Sequence, residues 1–433
     1  MTAPDRRRAW LVWSGALLAY VVAVLHRSSF GVAGLPSAER FGVDATTLSL
    51  FAVIQVSMYA VMQVPAGVAL DRWGARRLLV LGSVTMALGQ LAMAFAPSVG
   101  VALAARVLIG SGDAAIFVSA IQLVAIWFDR RRVPLLTQMT GIVGQLGQIA
   151  SALPFAWALH RFGWTAAFVA VTAVGAAAAG VVWLTVRDAP PGTPAAAPRG
   201  LAGLGDTLRH PGTWLGFWSH QLGGTSGTVV VLMWGVPFLV QGEGATPGQA
   251  SALLTLNVVV GILAGPLVGE FTARHPLRRS WAVLAVAGGT AIGWAIVLVP
   301  ATPRPLWQLA VFVALISVGG PVSLIGLDFA RTSNPPHRMG SAQAVANMGG
   351  FSLAVPVMLV VGAVLDHRAP GGDATLADYR AALAVVVVSL AVSVVGVLVT
   401  RPRTRAATGV VVPPIAEAWA RYRAERLRRR RGR

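Results

Sequence analysis

The sequence predicts an all-α membrane protein of twelve transmembrane helices arranged as two six-helix bundles. Three observations predict it. Apolar runs of about 18 residues or more recur along the whole chain, and each is long enough to cross a hydrocarbon core of about 30 Å. Only 12% of the residues are charged and the mean hydropathy is +0.68, whereas soluble domains carry about 25% charge. The runs show no period-two alternation of the kind outer-membrane strands require.

The expected helices cover 9–35, 46–70, 77–96, 98–126, 134–160, 164–186, 213–241, 249–273, 280–300, 305–330, 339–366 and 376–400. Arg6, Arg7 and Arg8 precede the first run as in a signal peptide. The run continues past residue 25 without a small-x-small cleavage site, so a retained first helix is expected. Residues 189–200 form a Pro/Ala stretch without periodicity, which reads as a linker. The expected organisation is therefore a bundle over 1–188, a linker over 189–212, a second bundle over 213–400 and a basic tail over 401–433. In the tail, Ile415, Trp419 and Tyr422 recur at helical spacing before Arg428–Arg431. That pattern fits an interfacial helix on anionic lipid or a solvated basic tail.

The formal charge is +19, and all 35 basic residues are arginine. Nucleic-acid binding is excluded by their placement, because they concentrate in alternate loops. With the N-terminus inside, inner segments hold 28 arginines and outer loops five. This asymmetry predicts both termini in the cytoplasm. Ala, Gly, Val and Arg usage suggests a bacterial chain, hence an inner (cell) membrane. There is no cysteine, so disulfides and thiolate metal sites are excluded. No G-x-x-x-x-G-K-[ST] loop is present, which argues against an ATP-driven pump. No enzymatic chemistry, cofactor or metal is expected, and nothing points beyond a monomer.

Between the second and third runs lies Gly67-Val68-Ala69-Leu70-Asp71-Arg72-Trp73-Gly74-Ala75-Arg76-Arg77. Gly67 lets two helices approach closely. Gly74 permits a tight reversal. Arg72, Arg76 and Arg77 hold the turn on the cytoplasmic side. A degraded copy, Gly265 to Glu270 followed by Arg274, Arg278 and Arg279, sits in the second half. Repeated halves around a central site are a common transporter plan.

Charges inside membrane helices are costly and so mark function. Arg27 lies deep in the first helix, and Arg106 and Asp113 lie on the fourth. Seven residues place Arg106 and Asp113 on one face about 10 Å apart. Gly110 and Gly112 would leave room there for a ligand or water. An arginine is a fixed anion receptor, and an aspartate in a poorly solvated site can carry a proton. The competing reading is a buried ion pair steadying the two helices, which leaves one of the two arginines uncompensated. Gln55, Tyr59 and Gln63 form one polar stripe on the second helix, lining a cavity or joining helices. Gln138, Gln145, Gln148, His220, Gln221 and Asn347 are weaker candidates, while Asp328 and Glu270 fit loop charge networks. Most aromatic residues are expected to face lipid or the interface.

The turn G-x-x-x-D-R-x-G-x-R-R resembles the loop between helices 2 and 3 of the major facilitator superfamily, departing from it only at Ala75. The run from His26 to Asp113, with Trp127-Phe128-Asp129-Arg130 and Gly163-Trp164, resembles the anion:cation symporter branch. The resemblance implies that Arg27 binds the substrate carboxylate, Asp113 is protonated during transport, and Arg106 switches partners between them. His26 stands where that branch has an acid. It is either a second titrating group or a neutral, hydrogen-bonded helix residue.

The expected function is proton-coupled symport of a small organic anion by alternating access. In this scheme Arg27, Arg106, Tyr59 and Gln55 would touch substrate, Asp113 and His26 would couple protons, and Gly67, Asp71, Arg72, Gly74, Arg76 and Arg77 would gate. A proton-antiport exporter is the alternative. Exporters often carry Gly-x-x-x-Gly-Pro-x-x-Gly-Gly on the fifth helix, and here Gly141, Gly144 and Gly147 lack that proline. A non-transporting sensor would not need the buried arginines.

Overall fold

Twelve membrane-crossing helices account for most of the chain in the computed structural model, which describes residues 3–43, 45–193, 201–370 and 373–412. They are α1 (Ala3–Val32), α2 (Ala45–Trp73), α3 (Ala75–Ala94), α4 (Val99–Trp127), α5 and α6 within Val133–Thr185, α7 (Pro211–Gly242), α8 (Pro247–Arg274), α9 (Arg279–Leu298), α10 (Leu306–Ser333), α11 (Pro336–Arg368) and α12 (Leu376–Thr408). The 53-residue stretch Val133–Thr185 would be about 80 Å long as one helix, well over twice the hydrocarbon thickness. It reverses at Gly163, whose φ of 81° only glycine adopts without strain, and so supplies two crossings. Pro154 sits in a wide-turn segment of α5, Ser151–Phe155, where its missing N–H would otherwise break the helical ladder.

Small residues hold each bundle together, as expected where lipid removes the hydrophobic drive between helices. In the first bundle a side chain at Gly82 would strike Gly112 of α4, and one at Gly112 would strike Gly82. In the second, Gly216 with Gly326 and Gly223 with Gly319 form the same reciprocal contacts between α7 and α10. Gly144 and Gly147 of α5 back onto Tyr20 and Val21 of α1, so that glycine run has a packing role. Not all tryptophans face lipid: Trp127, Trp164 and Trp294 are buried, and their indole N–H groups donate to Arg187 O, Met93 O and Ser226 Oγ.

The linker is not wholly irregular. Leu201–Arg209 is a helix, and its Asp206 pairs with Arg338 at 3.1 Å in the first turn of α11. Asp328 belongs to a charge network, as expected, pairing with Arg279 and Arg331, while Glu270 pairs with Arg274. The tail residues Ile415, Trp419, Tyr422 and Arg428–Arg433 lie outside the described residues.

Candidate functional site: a buried charge cluster and a latch between the bundles

α1 and α4 bring Arg27 and Asp113 face to face. Arg27 Nε donates to Asp113 Oδ2 at 2.7 Å and Nη2 donates to Oδ1 at 2.9 Å, a two-pronged pair. Asp113 is 1% exposed, whereas 32% of the Arg27 side chain is accessible. The guanidinium also lies 5.3 Å from the centre of the Tyr59 ring. Tyr20, two turns before Arg27 on the same face of α1, adjoins it as well. The sequence reading expected Arg27 to be free for a carboxylate. It is instead engaged, because Asp113 projects from α4 directly at it.

The free cation is Arg106. It is 3% exposed, and its Nε and Nη1 are buried without any partner among the described residues. Its Nη2 makes one long hydrogen bond, 3.5 Å, to the Arg27 carbonyl. Its guanidinium sits 4.8 Å from the Phe30 ring. A ring face is a weak partner for a buried cation, and orphaned buried guanidinium N–H groups are costly. Asp113 attracts Arg106 only at longer range and is hydrogen-bonded to Arg27, so Arg106 has no ion-pair partner of its own among the described residues.

The space between Arg106 and Asp113 is not opened by glycine. A side chain at Gly110 would strike the Gln55 carbonyl of α2, and Gly112 meets α3, so both glycines serve backbone contact. Gln55 is 2% exposed, with a partnerless amide oxygen, and the fully buried Gln63 amide likewise has no partner among the described residues. His26 points away from the cluster. Its Nε2 lies 3.2 Å from Val171 O of α6, and Gly175 makes room for the ring. His26 thus packs against α6 rather than facing Asp113, which fits the neutral, hydrogen-bonded reading. His220 Nδ1 meets Ser323 O at 2.9 Å, and Gln221 donates to Ser393, both inside the second bundle.

Tyr59 connects the cluster to the other bundle. Asn347 Nδ2 of α11 donates to its hydroxyl at 2.8 Å, and Phe351 meets its ring edge-on at 5.0 Å. Two turns further along α2, Gly67 lies so close to α11 that a Cβ there would sit 2.9 Å from Ser341 Cα. Asp71 then caps α11 directly. Gly340 N and Ser341 N donate to its two carboxylate oxygens at 2.7 and 2.8 Å, and Ser341 Oγ donates at 2.5 Å. A carboxylate on a helix N-terminus combines unpaired N–H donors with the positive end of the macrodipole.

The arginines of the turn face elsewhere. Arg76 donates to Trp183 O of α6 and lies 4.1 Å from that ring, while its backbone N–H donates to Asp188 at 2.8 Å. Gly74, at φ 82°, fits under the same Asp188. Arg72 and Arg77 are exposed. The copy in the second half lacks the latch. Gly269 backs onto Leu135 of α5 and Pro134 supplies no N–H, so no carboxylate caps α5 there.

Asp71→Asn should weaken this cap, a contact expected to form in one conformation and break in the other. Losing a charged cap costs about 1–2 kcal/mol, which shifts a two-state equilibrium about 5- to 30-fold. Turnover should change by such a factor, with equilibrium ligand binding altered only a few-fold. Unchanged turnover in vesicles would remove Asp71 from the mechanism.

The sequence pattern of the Major Facilitator Superfamily matches residues 16–358. Mouse monocarboxylate transporter 11 is 29% identical over 359 residues, which cover 75% of this chain and 78% of that protein. A probable galactarate/D-glucarate transporter of Pseudomonas putida is 23% identical over 407 residues, covering 84% and 87% respectively. A putative tartrate transporter of Agrobacterium vitis is 31% identical over 116 residues, 27% of each chain. A twelve-helix membrane protein with two bundles, a capped crossing of α2 and α11, and a family match over most of its length belongs to the major facilitator superfamily of membrane transporters.

Proposed function

We propose that the chain is a proton-coupled symporter of a small organic anion, working by alternating access in a cell (inner) membrane with both termini cytoplasmic. The observation that carries this is the charge count of the buried cluster: two guanidiniums, Arg27 and Arg106, against one carboxylate, Asp113. With Asp113 ionised the cluster has one positive charge in excess, and an anion at Arg106 removes it. A proton on Asp113 dissolves the pair and frees Arg27 for the same anion. Proton and anion thereby favour each other's binding, a reciprocal coupling that favours loading both together, as symport needs. A monocarboxylate balances the ionised cluster, and a dicarboxylate balances the protonated one. Relatives named for monocarboxylates, glucarate and tartrate support an organic acid as cargo.

The contacts between bundles support an alternating-access reading. Asp71 with α11, Gly67 with Ala344, Gln138 with Pro321 O at 2.7 Å, Gly265 with Ile142 and Gly269 with Leu135 all lie toward the α2–α3 turn. Taken with the arginine asymmetry, this is an outward-facing conformation, closed on the cytoplasmic side and accessible from the other at Arg27.

Uptake into proteoliposomes, screened over mono- and dicarboxylates with and without an imposed pH gradient, tests the proposal. Gradient-driven accumulation of at least one carboxylate is expected. Carboxylate transport indifferent to the gradient would eliminate proton coupling. Tyr59→Phe should keep the ring under Arg27 and lose the Asn347 bond, worth about 1 kcal/mol. The expected result is a several-fold shift toward the inward-facing state, read as faster labelling of a cysteine introduced beside Gly67 from the cytoplasmic side.

A further inference from the structure

On the Asp71 side of the molecule, the start of α9 and the end of α12 lie beside each other at an arginine pair that no carboxylate among the described residues answers. The apolar part of α12 stops at Thr400 and that of α9 starts at Trp281, so both reach the headgroup level of a bilayer at this point. The Arg401 guanidinium lies 4.5 Å from the Trp281 ring, and its Nε is buried with no partner. Arg405 follows one turn later on the same face of α12. Among the described residues neither arginine belongs to an ion pair, whereas neighbouring Arg274, Arg279, Arg331 and Arg338 each have a carboxylate.

Like charges four residues apart on a helix repel, and an aromatic face compensates only one of them, weakly. The pair therefore selects for an anion lying between the two guanidiniums. Arginine's fork matches phosphate oxygens in particular. Beside the pair, Trp281 is 51% exposed and Leu398 is 50% exposed, giving an apolar surface that continues into the membrane. We propose that Arg401, Arg405 and Trp281 form a site for an anionic phospholipid, its phosphodiester between the arginines and its acyl chains along α9 and α12. A free inorganic phosphate would use the arginines and gain nothing from the apolar surface. The site is separate from both the Arg27 cluster and the tail beyond residue 412.

The test is native mass spectrometry of the full chain in neutral detergent, titrated with phosphatidylglycerol, phosphatidylcholine or inorganic phosphate. The parent should retain phosphatidylglycerol in preference to phosphatidylcholine. Removing one basic residue near the surface should weaken that retention about fivefold, and Arg401→Gln with Arg405→Gln about 25-fold. Trp281→Leu should give a smaller loss. Arg405→Gln alone, at a half-buried position, supplies the fivefold step if the double variant fails to fold. The tail arginines are common to all variants, so the difference isolates this site. Equal retention by parent and folded variants would overturn the proposal, and so would displacement of the lipid by millimolar inorganic phosphate.

Discussion

Arg106→Gln is expected to weaken anion binding at least about 30-fold while leaving the protein at least as heat-stable as the parent. Most buried arginines would behave in the opposite way, because removing one member of an ion pair strands the other at a cost of about 3–5 kcal/mol. Arg106 has no hydrogen-bonded carboxylate to strand: Nε and Nη1 are bare, Nη2 has one 3.5 Å contact, the Phe30 ring lies 4.8 Å away, and Asp113, which attracts it at longer range, keeps its pair with Arg27. Burying that charge burdens the empty protein, and glutamine relieves the burden. The same charge is what an anion would gain from. Truncating one side of a buried, hydrogen-bonded charge pair costs about 2–5 kcal/mol, so the dissociation constant should rise at least 30-fold. Arg106→Lys should recover only part of this, since an ammonium cannot present a fork. Binding by thermal shift or isothermal titration and melting in the absence of ligand separate the two effects. A folded Arg106→Gln protein that binds the anion normally would end the assignment of Arg106 as receptor.

The three charged residues of this site were legible in the sequence because a charge in an apolar run stands out against its surroundings. Which arginine is free was not legible. Spacing along α4 relates Arg106 to Asp113, but the reach of Arg27 across from α1 depends on how the helices are rotated, and no single-helix pattern encodes that. Gly110 and Gly112 misled for the same reason: a missing side chain signals either a cavity or a touching backbone, and here Gln55 O and α3 fill the space. His26 gave the right residue type at the right depth, but it faces α6. Tyr20 could have been found from its seven-residue spacing to Arg27. The cap on α11 was only half visible: the sequence singles out Asp71 among the residues of the turn, but not the α11 N-terminus that it caps. Gly340 and Ser341 contribute mainly backbone N–H groups, which no side-chain pattern advertises. Most helix boundaries fall within about three residues of the apolar runs, because in lipid the runs themselves set element length. The exceptions are α1, which begins at Ala3, and α12, which continues past the expected end at 400 to Thr408, so the start of the expected tail is helical.

Asp113→Asn is expected to eliminate accumulation driven by a pH gradient while anion exchange across the membrane survives. Asparagine has nearly the shape of the carboxyl group and holds the neutral state permanently. Arg27 then loses its two charge-assisted bonds, 2.7 and 2.9 Å in the parent, and becomes a second free cation beside Arg106. The empty protein should melt earlier, because the pair, worth up to about 3–5 kcal/mol when fully buried, has gone and the partly accessible Arg27 joins the buried Arg106 without a carboxylate. Anion binding should in turn be tighter than in the parent, and it should no longer strengthen as the medium is acidified, because the carboxyl that took up the proton is absent. Saturating anion should therefore recover much of the lost melting temperature. A purely structural ion pair predicts a different set of results: early melting that anion does not reverse, with exchange and accumulation lost together. Counterflow of labelled anion, accumulation under an acid-outside gradient, and melting with and without anion distinguish the two on one preparation. If the variant still accumulates substrate against its gradient, Asp113 does not carry the proton. The described membrane core offers no other carboxylate facing Arg27, so a coupling route would then have to lie outside this cluster.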